Sequence, residues 1–164
     1  MLIIEKVDAT RREILKNIMT LFLHDMSEFN EELDLNPENG LFELDVLDWF
    51  FDKEGLTPFF IVSDGNPIGF ILLQSGPYSN QEFADYVLNS FFILKKHRRK
   101  GIGKLACYKF FEMYPGRYAI SQAKNNTQAI KFWKSVYESN SINVYEKEEI
   151  EDGMKVIYQY FKTN

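Results

Sequence analysis

The segment from residue 88 to residue 114 constrains this chain most. An apolar run, Leu88–Leu94, gives way to a loop with six Lys/Arg and no acid between positions 95 and 104. Two glycines, Gly101 and Gly103, follow, and an apolar-periodic stretch, Ile102–Tyr114, runs on to Pro115-Gly116. The pattern demands a buried strand and a helix N-terminus joined by a tight basic turn. Glycine lets backbone approach a ligand closely and takes dihedrals closed to other residues. The first turn of a helix leaves N–H groups unpaired and carries partial positive charge. Anions bind such ends readily. A solvated basic turn with helix-starting glycines accounts for each feature singly. Strand, basic loop, Gly-x-Gly and helix together favour a phosphate cradle.

The flanking sequence supplies the rest of an α/β order. Leu2–Val7 reads as an edge strand. Thr10-Arg11-Arg12-Glu13 fits a capping box, and Ile14, Leu15, Ile18, Met19, Phe22, Met26 and Phe29 recur at helical spacing, predicting a helix over 10–29. A second helix is expected over 43–54, stopped by Gly55. Thr57–Ser63 and Ile68–Gln74 read as a hairpin around Asp64-Gly65-Asn66-Pro67. After a looser stretch, 78–87, come the strand Leu88–Leu94, the helix Ile102–Tyr114, the strand Tyr118–Gln122 and the helix Thr127–Tyr137. Strands Ile142–Glu148 and Met154–Phe161 close the chain. The order β-α-α-β-β-β-α-β-α-β-β is neither an all-consecutive set of strands nor strict βαβ alternation. It implies a mixed sheet with helices on both faces.

Composition narrows the function classes. The 164 residues carry no internal repeat and no linker, so one domain over 1–164 is expected. Aromatics reach 16%, read residue by residue as core. A net charge of −5 argues against bulk nucleic-acid or anionic-membrane binding. The single cysteine, Cys107, excludes an intramolecular disulfide and a cysteine-based zinc site. It sits among apolar neighbours and reads as a buried thiol. No apolar run approaches the length of a membrane span, and Met1–Lys6 lacks the features of a signal peptide, so a cytoplasmic location is expected.

Three phosphate-loop classes compete for the central segment. A Walker loop fails, because its glycine and hydroxyl positions hold Arg98, Arg99 and Leu105. A dinucleotide fingerprint is met formally by Gly101, Gly103 and Ala106. It lacks the acid about twenty residues on, where Ser121 and Gln122 stand. The third pattern, Arg/Gln-x-x-Gly-x-Gly/Ala, is met by Arg98, Gly101 and Gly103. It resembles motif A of the GNAT superfamily of acetyl-CoA-dependent N-acetyltransferases. Asn126-Thr127-Gln128-Ala129-Ile130-Lys131-Phe132-Trp133 resembles that family's Asn-x-x-Ala-x-x-Leu/Phe-Tyr helix, and the element order resembles it along nearly the whole chain.

The resemblance implies an α/β fold with a GNAT-like mixed sheet, whose bulged central strand splays from its neighbour and whose faces carry helices. Acetyl-CoA would lie in that gap. Its pantetheine arm would pair with the backbone of Phe91, Phe92 and Ile93. Its pyrophosphate would rest on the amides of Arg99, Lys100, Gly101, Ile102, Gly103 and Lys104, with Arg98 and the other cations at the rim. Asn126 would contact the cofactor arm or cap its helix, and Trp133 would border the cofactor. The reaction implied is direct transfer, in which a neutral amine attacks the thioester while a base takes its proton and an acid protonates the thiolate. Here the sequence departs from the family. Trp133 stands where the family's proton-donating Tyr belongs, and Ser121 stands where some relatives carry a glutamate base. Tyr137 and Tyr145 are the candidate substitutes.

The implied acceptor is a primary amine on a small molecule or a peptide, with no nucleic-acid or membrane partner and a homodimer left open. In relatives, the loop around the first two helices and the final hairpin form the acceptor groove. Here residues 25–54 hold eleven acids against one Lys, and residues 146–152 hold five against one, which suggests a cationic acceptor. His24 and Glu28, one helical turn apart, are candidate substrate contacts. Without a third ligand they make no metal site. Two other readings stay open: an acyl-CoA-binding module without catalysis, and a nucleotide-dependent oxidoreductase.

Overall fold

In the computed structural model, which describes residues 1–164, seven strands form one sheet in the order β1-β2-β3-β4-β5-β7-β6. Strands β1 (Leu2–Lys6), β2 (Leu56–Ser63), β3 (Asn66–Ser75) and β4 (Tyr86–Ile93) pair antiparallel in sequence order. Strands β5 (Arg117–Ala123), β7 (Met154–Lys162) and β6 (Val144–Glu151) form a second antiparallel group. One parallel contact, β4 with β5, joins them. The helices are α1 (Arg12–Ser27), α2 (Trp49–Asp52), α3 (Ile102–Met113) and α4 (Thr127–Ser139). This is the expected element order.

Two hairpins turn on residue pairs with positive φ. Asp64 and Gly65 join β2 to β3, and Asp152 and Gly153 join β6 to β7. Left-handed conformation at both central residues gives a turn whose twist matches the flanking strands. The first hairpin is longer than expected, with Asn66 and Pro67 already inside β3.

Alternation of side chains across the pleat builds two cores. Phe59, Ile61, Ile71, Tyr118, Ile120 and Phe161 pack under α3 and α4. Phe60, Val62, Phe70, Leu72 and Phe92 pack under α1 and α2. The second core takes no residue from β5, β7 or β6. No helix therefore packs on that face of the last three strands, which carries Ser121, Tyr145, Tyr158 and Tyr160 by register.

Two helix expectations are corrected. The first helix starts at Arg12, not Thr10, because the Asp8 carboxylate accepts the Thr10 N–H at 2.8 Å and sets a short 3-10 turn ahead of it. The second shrinks from 43–54 to the four residues of α2. Asn30, Asn36 and Asn39 upstream accept nearby backbone N–H groups, and Phe42 donates its N–H to Thr20 Oγ1. Such local bonds compete with helix before residue 43, and from Leu44 to Asp48 the backbone closes turns three residues long, Leu47 N–H to Leu44 O and Trp49 N–H to Val46 O, ahead of α2. Leu47 and Phe50 nevertheless reach the core.

Candidate functional site

The sheet opens at its centre. β4 and β5 pair only at Tyr86/Tyr118 and Val87/Ala119, and beyond these the strands diverge. On the other edge of β4, Leu73 faces Leu88 while Leu72 faces Ser90, so Asn89 is an extra, bulged residue. The bulge bends β4 away from β5. Leu94 N–H donates to Ile68 O at 2.8 Å. By antiparallel alternation Phe92 bonds to β3, while Phe91 and Ile93 turn their peptide groups into the gap. Of these, the Ile93 carbonyl is engaged: Arg98 Nε donates to it at 2.6 Å.

At the wide end of the gap lies the basic loop. Lys95–His97 form a 3-10 turn, Arg99 has φ 59°, and Gly101, at φ 75°, is the N-cap of α3. The first N–H groups of α3 have no partner within the helix. Lys96, Arg99, Lys100 and Lys104 extend from this turn without ion pairs. Lys95 and Arg98 instead reach Asp25 on α1, at 3.6 and 2.8 Å. Phe132 of α4 lies over Gly103 and stacks on Phe91, with ring centroids 5.5 Å apart.

Asn126 is buried, and its side-chain oxygen accepts Ala129 N–H at 3.2 Å, which caps α4. Trp133 is buried against Phe91, Phe132 and Tyr137. Tyr137, a candidate acid, is a core residue. Its hydroxyl donates to Gln159 Oε1 at 2.6 Å, and burial raises its pKa. Gln122 Nε2 donates to the same oxygen, while Gln159 Nε2 donates to Glu146. The Glu146 carboxylate fixes the sense of this chain of bonds, and Gln122 Oε1 is left buried without a donor. Sequence reasoning missed the network; two glutamines on apolar-leaning strands were its only trace.

Tyr145, the other candidate acid, is 65% exposed on β6. β7 separates β6 from β5, which puts Tyr145 about 10 Å from β5 at ordinary strand spacing. It belongs to a ladder on the uncovered face. Tyr145 and Tyr160 lie 6.2 Å apart, as do Tyr160 and Tyr158, and Phe83 stands 6.4 Å from Tyr160. Tyr158 faces Ser121 across β5–β7 and bonds through its hydroxyl to Glu151.

His24 and Glu28 are both exposed at the end of α1, His24 packing edge-on to Phe42. Just past them Phe29 reaches the β6–β7 hairpin. There a cavity of ≈ 340 Å³ is lined by Phe29, Lys124, Asn125, Met154 and Lys155. The two segments expected to frame an acceptor groove do meet, but lysines rather than acids line that junction. Four of the eleven acids of 25–54 are already paired: Asp25 with Arg98 and Lys95, Asp48 and Asp52 with Arg12, and Glu43 with Lys16. The charge count thus overstated the field. No three His, Cys, Asp or Glu side chains gather as a metal site, and no helix is long and apolar enough to cross a membrane.

The model of the Acetyltransferase (GNAT) family matches residues 17–136. No curated protein sequence matches the chain. Among solved structures, an acetyltransferase from Thermus thermophilus is 16% identical, with TM-score 0.70 over 98% of this chain and 96% of that one. The aminoglycoside acetyltransferase AAC(6')-Ib, solved with ribostamycin and coenzyme A, is 13% identical, with TM-score 0.70 over 99% and 93%. The ribosomal-protein-S18-alanine N-acetyltransferase from Escherichia coli is 14% identical, with TM-score 0.63 over 100% and 95%.

Proposed function

Because the chain belongs to the GNAT acetyltransferase family, we propose that it moves an acetyl group from acetyl-CoA to a primary amine through the opening between β4 and β5. One observation carries the reading: a strand edge with free peptide groups runs straight into an unpaired helix N-terminus. The edge suits the amides of a pantetheine arm, and the N-terminus suits a pyrophosphate. The loop amides of Arg99 to Lys104 and the cations of Lys96, Arg99, Lys100 and Lys104 hold the phosphates. Asn126 keeps its amide nitrogen for the arm, its oxygen being used on α4.

Acetyl-CoA supplies a thioester. The amine nitrogen forms a bond to its carbonyl carbon, the carbon–sulfur bond breaks, and the amine proton leaves to solvent or sulfur. A peptide N–H of β4 facing the gap stabilises the oxygen charge that develops, a large term in acyl transfer. Neither proton-transfer role falls to Tyr137, whose hydroxyl is engaged in the core, nor to Tyr145, two strands from the gap. A thiol is a good leaving group near neutral pH, and the thiolate departs without a dedicated side-chain acid.

The acceptor approaches over the face that α1 and α2 leave uncovered. Ser121 lies nearest the gap, then Tyr158 and Tyr160, then Tyr145 with Lys147, Glu149 and Glu151; Glu149 is paired with Lys147 at 2.6 Å, and an incoming cation would compete for it. Aromatic faces next to carboxylates favour a cation, so the acceptor class is an amine with a second positive charge. His24 and Glu28 flank the approach from α1. The deciding experiment is thiol release from acetyl-CoA with 1,5-diaminopentane and with pentylamine, alongside calorimetry with CoA, ATP and NAD. Tight CoA binding and turnover that favours the diamine support the reading. Binding of NAD or ATP but not CoA overturns it.

A further inference from the structure

Arg98 occupies the arginine position of the phosphate-loop motif, yet its side chain is turned away from the loop's open side. Nε donates to the carbonyl of Ile93 at 2.6 Å. One terminal nitrogen donates to Asp25 Oδ2 at 2.8 Å. The guanidinium carbon lies 5.2 Å from the centroid of the Phe92 ring. Asp25 is itself mostly buried, 19% exposed, and takes Lys95 on its other oxygen at 3.6 Å. The planar fork thus ties three things together: the last residue of the open β4 edge, the start of the phosphate loop, and the final turn of α1.

We propose that Arg98 and Asp25 form a latch that positions the cofactor site, with Arg98 acting through Ile93 and the loop rather than on the phosphates. The proposal rests on the acetyl-CoA reading above. The peptide joining Ile93 to Leu94 is held from both sides, its N–H by Ile68 O of β3 at 2.8 Å and its gap-facing carbonyl by Arg98, so the fork sets how β4 leaves the sheet. The loop that follows reaches the helix N-terminus within eight residues, from Leu94 to Gly101. An error in its first residue is carried to the amides that meet the phosphates. A charged hydrogen bond from a half-buried fork is strong enough to hold that geometry. Lysine has three donors but a single nitrogen, and does not reproduce a fork that meets the carbonyl from Nε and the carboxylate from a terminal nitrogen.

Electrostatics and the latch make opposite forecasts for one variant. Asp25→Asn removes a negative charge beside a phosphate loop and frees Arg98. If Arg98 gripped the phosphates, or if charge alone mattered, CoA would bind as well or more tightly. If the latch holds, CoA binds more weakly despite the gain in positive charge. The experiment is calorimetric titration of CoA into wild type, Asp25→Asn, Asp25→Glu, Arg98→Met, Arg98→Lys and the double variant Asp25→Asn/Arg98→Met. Melting curves verify that each is folded. We expect Asp25→Asn and Arg98→Met each to weaken binding about tenfold, and the double variant to be no weaker than the worse single one, as for residues acting as one unit. Asp25→Glu should restore most of the affinity, and Arg98→Lys should not.

Native-state hydrogen exchange of the ligand-free protein reads the latch independently of CoA. Amides of residues 94–101 should exchange faster in Asp25→Asn, with the rest of the sheet unchanged. Unchanged or tighter CoA binding in Asp25→Asn, or unchanged exchange in that loop, overturns the latch. Failure of wild type itself to bind CoA overturns the acetyl-CoA reading instead, and the exchange result then stands alone. Should Asp25→Asn not fold, Arg98→Lys decides: wild-type affinity there overturns the proposal.

Discussion

A Cβ built on Gly103 would lie 2.9 Å from Cε2 of Phe132, closer than side-chain carbons approach one another. The second motif glycine is thus fixed by packing between α3 and α4 as well as by any anion at the helix end. Phe132 is held from behind by its stack on Phe91, so its ring has little freedom to yield.

Gly103→Ala should therefore destabilise the fold, although alanine is the better helix former. Overpacking of this kind costs about 1–3 kcal/mol. Urea unfolding should show the loss, and adding Phe132→Leu should recover part of it. A Gly103→Ala variant as stable as wild type would place the glycine's role with the ligand alone. Gly103→Glu should in addition abolish CoA binding, by setting a side chain and a negative charge at the helix end.

The buried network under α4 gives two opposite expectations. Tyr137→Phe removes a donor to Gln159 and should cost about 1 kcal/mol. Gln122→Met removes the unpartnered Oε1, while Gln159 keeps its bond from Tyr137, so stability should hold or rise. Thermal melts at neutral pH check both. Because the hydroxyl of Tyr137 is engaged in the core, Tyr137→Phe should leave kcat near wild type. A large fall in kcat at unchanged KM for acetyl-CoA would return Tyr137 to the role of acid.

Asp85 accepts the backbone N–H of Arg117 at 2.8 Å and its terminal nitrogen at 2.9 Å. The same guanidinium donates to the carbonyls of Gln81 and Glu82, pinning the loop that carries Phe83. Bonding to Arg117 lowers the Asp85 pKa below its ordinary value. A depressed carboxylate contributes stability above its unfolded pKa and loses it as pH falls through the folded one. The stability difference between wild type and Asp85→Asn should be constant at neutral pH and shrink below about pH 4. A difference that does not shrink as pH falls would mean that the pairing is not ionic.

Salt should separate the loop cations by role. Lys100→Gln and Lys104→Gln should weaken CoA binding, and the wild-type affinity should fall as ionic strength shortens the screening length from about 30 Å at 0.01 M to about 10 Å at 0.1 M. CoA lacking its 3′-phosphate should show the shallower dependence. A flat salt response would make these side chains solvated surface.

For the acceptor, Glu149→Gln together with Glu151→Gln should raise KM for 1,5-diaminopentane about two- to fivefold, since exposed charges contribute at most about 1 kcal/mol each. KM for pentylamine and for acetyl-CoA should barely move. An equal response of the two amines would remove charge from the account and leave the tyrosine ladder.

Much of the scaffold was legible because it is written in short range. Asp64-Gly65 and Asp152-Gly153 announce their turns, and Gly101 caps α3 where the loop chemistry placed it, whereas the second helix stops at Asp52 with Lys53 as its C-cap, short of Gly55. The 43–54 helix misled because Leu44, Leu47 and Phe51 keep helical spacing whether or not the backbone between them is helical. Here it closes turns three residues long, Leu47 N–H to Leu44 O, Trp49 N–H to Val46 O and Phe50 N–H to Leu47 O, and periodicity does not distinguish these from an α-helix. At the site, the pattern located the loop but not the direction of each side chain. Arg98 looked like a phosphate ligand because its partner, Asp25, stands 73 residues away. Four of the eleven acids, Asp25, Glu43, Asp48 and Asp52, looked free because Arg12, Lys16, Lys95 and Arg98 meet them only in three dimensions.

Two parallel rungs, at Tyr86/Tyr118 and Val87/Ala119, are the sheet's only backbone seam between its four-stranded and three-stranded halves. Through backbone bonds alone the two halves are plates clasped at one end and open at the other, while the core under α3 and α4, with Phe59 and Ile71 on one side and Tyr118, Ile120 and Phe161 on the other, ties them from below. A ligand arm that bonds along β4 would fill the place of the missing rungs and couple the plates into one cooperative body. Its release would leave those edges of β4 and β5 without strand partners, while the shared core under α3 and α4 keeps the two halves together. The proposed acceptor face lies on the three-stranded half, β5-β7-β6. Occupancy by the donor would then set how firm a surface the acceptor finds, an order of events built into where the sheet is left unstitched.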